Sequence, residues 1–112
     1  MTVRTTHFVN SLRVRPETIR LANEQAPVLW TVRVQAAEVW DAVRIEATPD
    51  TLVRNVKQAA MALLLPDVDQ IDSFLVKLHG AEVTNEAQSL QSAGARDAST
   101  LFVMGRRRRP VR

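Results

Sequence analysis

The side chains able to do chemistry in this 112-residue chain are few and scattered. Cysteine is absent, which removes thiolate nucleophiles and disulfides together. His7 and His79 supply the only imidazoles, and neither has a second ligand at a spacing that holds a metal. Asp67, Asp69 and Asp72 could begin a calcium loop, but the glycine and distal glutamate that complete one are missing, so they read as a solvated acidic loop. Gly80, Gly94 and Gly105 stand alone, leaving no phosphate-cradling turn. No nucleophile is arranged with a histidine and a carboxylate in a catalytic motif. The expectation is a protein that is not an enzyme and holds neither cofactor nor metal.

Charge is layered along the chain. Residues 106–112 carry five arginines and no acid, and residues 1–27 carry four arginines and two glutamates. Residues 28–105 hold six basic and ten acidic groups, a net −4, so an acidic body lies between basic ends. Arg106, Arg107, Arg108, Arg109 and Arg112 form the candidate contact for a polyanion, either nucleic-acid backbone or anionic lipid. Without interleaved aromatics or a groove-reading element, such contact would be weak and nonspecific. Lysine is scarce: Lys57 and Lys77 stand against thirteen arginines. A GC-rich bacterial genome produces that bias by itself, and avoidance of self-modification on lysine is the sharper alternative. No apolar run approaches the ~18 residues that span a bilayer. The first residues lack the apolar core of a secretory signal, so a cytoplasmic protein is expected.

The elements that must carry these groups follow from hydrophobic periodicity. Pro27 divides an N-terminal extension, residues 1–27, from the body, residues 28–105, and a basic tail follows over residues 106–112. In the extension, Arg15 to Asn23 has the composition of a two-turn helix opened by Pro16, and Thr6 to Val14 alternates weakly as a strand would. Val28, Trp30, Val32 and Val34 recur with period two, and so do Val43, Ile45 and Ala47. With a reversal over Ala36 to Trp40, they predict a hairpin with one wet face. Leu52 to Leu64 has helical spacing in Val53, Val56, Ala60 and Leu63/Leu64, with Arg54, Lys57 and Gln58 toward water and Asp50 or Thr51 as the cap. Pro66 ends the helix. Phe74 to Leu78 and Leu101 to Met104 are the remaining long strands. Strand, strand, helix, strand, short strand, strand is the order of a β-grasp: an α+β fold in which one helix packs across a mixed sheet.

Two stretches sharpen that reading. Ile45-Glu46-Ala47-Thr48-Pro49-Asp50-Thr51-Leu52-Val53-Arg54-Asn55-Val56-Lys57 aligns without a gap to the second strand and helix entry of ubiquitin. Val76-Lys77-Leu78-His79-Gly80, Val83 and Leu90 through Met104 resemble its second half, including the Ser99-Thr100-Leu101 entry to the last strand. Residues 28 to about 105 therefore resemble the ubiquitin-like superfamily. The resemblance makes Val43, Ile45, Ala47, Val53, Val56, Ala60, Val76, Val83, Leu90, Leu101 and Val103 core positions.

It also frames function. The family's transferable carboxylate is a glycine on a flexible arm, and here the two family glycines fall on Arg109 and Pro110. A non-enzymatic interaction module, an adaptor or accessory subunit not conjugated as encoded, is the expectation. A modifier that first requires C-terminal processing is the alternative, and polyanion binding through the tail is a second. The family's apolar recognition patch maps to Lys77 at its centre, Phe102 and Met104 on the last strand, and Val39 and Trp40 in the hairpin turn. His79 stands at its edge in the turn after the third body strand. The implied partner is another protein, and Lys77 would disfavour readers that bury aliphatic surface at that position.

Overall fold

The alternation of small and β-branched residues after Pro27 resolves into two antiparallel strands, β2 (Trp30–Ala36) and β3 (Asp41–Ala47). The structure, a computed structural model, describes residues 13–22, 25–39 and 41–105. Val32 faces Ile45 and Val34 faces Val43 across the pair, so the middle of one face of the hairpin is apolar, with buried Asp41 opposite Ala36 at its end. Val28 and Leu29, which continue the alternation in sequence, precede the strand and are exposed. Three further body strands are β4 (Phe74–Leu78), β5 (Ala81–Glu82) and β6 (Thr100–Gly105). With β1 (Arg13–Arg20) the sheet order is β1-β3-β2-β6-β4-β5. β2 and β6 run parallel at its centre, and the β2–β3, β4–β6 and β4–β5 pairs are antiparallel.

One helix, α1 (Val53–Leu64), covers the apolar face of this sheet. Val53, Val56, Ala60, Met61 and Leu64 pack against Val32, Val34, Val43, Ile45, Val76, Leu101 and Val103. Every core position implied by the sequence is buried. Each large aliphatic side chain so removed from water contributes about 1.5–3 kcal/mol, the term that offsets chain entropy in a small domain. No helix among the described residues is long and apolar enough to cross a membrane.

Three local expectations are corrected. The helix expected over Arg15 to Asn23 is instead largely strand β1, paired parallel to β3, with Ile19 opposite Ile45 and packed on the core. The edge of β3 offers a row of backbone partners, and a short segment with no apolar helical stripe gains more from that row than from its own helix. The register shifts between Val14 and Thr18, the stretch containing Pro16, where a missing N–H is least costly.

Helix α1 also lacks the side-chain cap expected from Asp50 or Thr51. Its first amides donate instead to loop carbonyls, Val53 N–H to Gln88 O at 3.0 Å and Arg54 N–H to Glu86 O at 2.8 Å. Thr51 Oγ1 is occupied by the Thr48 amide.

Lys57, expected to face water, is 2 % exposed. Its Nζ donates to Phe74 O at 2.6 Å and to both oxygens of Glu86 at 3.0 and 3.2 Å. A buried ammonium is tolerated because those acceptors replace its hydration. It thereby fastens the helix to the start of β4 and to the loop after β5.

Candidate functional site

With the helix on one face, the opposite face of the sheet is open, and alternation decides which side chains it displays. Inward Val76, Leu78, Leu101 and Val103 place Leu75, Lys77, Thr100, Phe102 and Met104 outward. Register then fixes neighbours. Phe102 lies opposite Lys77 on β4 and Gln35 on β2, and Met104 lies opposite Leu75. Phe102 is 38 % exposed; Lys77, Leu75 and Met104 are half-buried. Three of the residues singled out from sequence are therefore gathered on two adjacent strands.

Val39 arrives by a different route. It sits exposed in the β2–β3 turn. The preceding Glu38 accepts the Gly105 N–H at 2.7 Å, which ties that turn to the residue after Met104. A side chain on Gly105 would crowd this carboxylate, since a Cβ there lies 3.1 Å from Glu38 Oε2. Trp40, Arg106, Arg107, Arg108, Arg109 and Arg112 lie outside the described residues.

His79 is held at the other end of the face. With Gly80 it forms the two-residue connection between β4 and β5, and both have positive φ, 53° and 85°. That is the geometry whose twist suits a tight hairpin, and histidine enters it more readily than most residues. His79, Arg96, Thr100 and Phe102 line a shallow hollow of about 470 Å³. A neighbouring hollow of about 390 Å³ is lined by Thr31, Arg33 and Arg44. Asp97, Ala98 and Thr100 line both. Asp97 Oδ1 accepts the Thr31 N–H at 2.8 Å, and Ser99 Oγ accepts the Arg96 N–H at 2.8 Å. The first bond, with Ala98 N–H donating to Thr31 O at 2.9 Å, holds the loop before β6 against β2, and the second closes a turn within the loop, where Ala98 has φ 71°.

Sequence reasoning missed Leu75, Arg33, Arg44 and Asp97 as parts of this face. Period-two alternation marks Arg33 and Arg44 as outward-facing, but only the strand register puts them side by side. No group of histidine, aspartate and glutamate able to hold a metal occurs among the described residues.

No protein-family model and no characterised protein matches the sequence. Solved structures do. The C-terminal ubiquitin-like domain of mouse tubulin-specific chaperone E superposes with a TM-score of 0.61 at 15 % identity, over 80 % of this chain and 100 % of that one. Ubiquitin of Caldiarchaeum subterraneum gives 0.60 at 16 % identity, over 72 % of this chain and 98 % of its own. The ubiquitin-like domain of an Arabidopsis thaliana protein gives 0.60 at 15 %, over 81 % and 93 %. At such identities the likeness speaks for architecture, and it agrees with the sheet order and helix placement described above. This chain has the ubiquitin-like β-grasp fold.

Proposed function

We propose that the chain is a non-enzymatic protein–protein interaction module, an adaptor or accessory subunit, that meets its partner with the open face of its sheet. Phe102 carries the reading: a large aromatic ring 38 % exposed at the middle of a sheet whose reverse side is the core. Lone exposed apolar residues are ordinary. This one is flanked by Met104, Leu75 and the stem of Lys77, with Val39 on the tethered turn, which is the composition of an interface hot spot. Trp40, next to Val39 in sequence, joins the proposal on sequence grounds. Similar folds occur as domains of larger proteins, the tubulin-specific chaperone among them.

The test uses the wild-type chain and Phe102→Asp as paired baits, with amide spectra to establish that the variant keeps its fold. An aspartate at a desolvated hot spot should weaken partner retention roughly thirtyfold. Equal retention by both baits would overturn the assignment of this face.

A further inference from the structure

Four of the body's six basic residues are gathered on one face, and their placement points to a partner chemistry. Of the six basic residues between 28 and 105, Lys57 is buried and Arg54 lies on the exposed side of α1. The other four, Arg33, Arg44, Lys77 and Arg96, all lie on the open sheet face or in the hollows that border it. Asp67, Asp69 and Asp72 after the helix, Asp50 before it and Glu38 in the hairpin turn lie away from this face, while Glu46, Glu82 and Asp97 share it.

Arg33 and Arg44 are directly opposite each other across β2 and β3. Like charges so placed repel and weaken the sheet. The ion pairs among the described residues, Arg20–Glu46 and Lys57–Glu86, involve neither of them. Neither guanidinium therefore has an ion-pair partner among the described residues, and both line a hollow that shares Asp97, Ala98 and Thr100 with the one beside Phe102.

Resting on the interaction reading above, we infer that the hollow at Arg33 and Arg44 receives an acidic segment of the partner protein, with a carboxylate on the arginine pair and an adjacent apolar side chain on Phe102. Guanidinium is suited to this because its fork matches a carboxylate with two parallel hydrogen bonds. A nucleic-acid backbone fits less well. Glu46 and Glu82 interrupt the row of basic side chains, which leaves room for a single carboxylate on the arginine pair and not for a continuous polyanion.

The experiment titrates the full chain with a labelled peptide of alternating glutamate and leucine, followed by amide chemical shifts and fluorescence anisotropy. Shifts should centre on Thr31 to Arg33, Arg44 and Ala98 to Phe102. Arg33→Gln with Arg44→Gln should weaken binding roughly tenfold. Replacing Arg106 to Arg109 by alanine should leave those shifts in place.

Binding that survives the Arg33/Arg44 change but vanishes with the tail arginines would overturn the inference. So would an absence of shifts at the hollow, or a stronger response there to duplex DNA. Phe102→Asp separates the two claims. If it abolishes peptide binding while the arginine change does not, the apolar face stands and the acidic-segment inference falls. The reverse result keeps the arginine site and removes the role of Phe102.

Discussion

Lys57 shows how a single residue can answer to two demands. Helical periodicity places it away from the apolar stripe, yet it reaches Phe74 O and the Glu86 carboxylate in a buried site. Lys57→Met should therefore lower stability by roughly 2–4 kcal/mol, because it strands a carbonyl and a largely buried carboxylate. Thermal unfolding of the two proteins measures this. It also leaves Lys77 as the one lysine side chain open to reagent. Mild acylation of the native chain should modify Lys77 and spare Lys57, while urea-treated chain should be modified at both, as peptide mass mapping would show. At Ala98 the backbone sits at φ 71° with a side chain that penalises it. Ala98→Gly should raise stability by about 1 kcal/mol, read as a higher unfolding midpoint.

At the scale of elements, the strands and helix of the body were legible because their periodicities are clean and each is bounded by turn chemistry. Pro49-Asp50 and Pro66 bracket the helix, and His79-Gly80 closes a hairpin. The failures share a cause. The Arg15 to Asn23 segment has no strong period of its own, so its state was decided by the open edge of β3, which no local pattern reveals. The helix cap likewise went to the carbonyls of Glu86 and Gln88, more than thirty residues away in sequence. Strand β1 covers an edge that would otherwise be exposed. Deleting residues 1–22 should cost roughly 1–3 kcal/mol through lost ladder bonds and the lost Ile19 contact. It should also raise self-association, visible by light scattering, because a bare edge strand recruits other chains.

For the whole molecule, one sheet divides the labour. Its covered face holds the fold, and its open face gathers Phe102, Met104, Lys77 and the Arg33–Arg44 pair. The sequence displayed the first set of open-face residues through resemblance. It concealed the second, because cross-strand neighbours are a property of register.

The most direct test of the open face is a photo-crosslinking phenylalanine analogue at position 102, placed in the full chain in its native cells and read on a denaturing immunoblot. A single species at the chain's own mass is expected in the dark and a discrete heavier adduct after irradiation. Two results would contradict it. One is a ladder of adducts without light, the mark of a conjugated modifier. The other is no adduct with light while the same analogue at Arg54, on the exposed side of the helix, yields one.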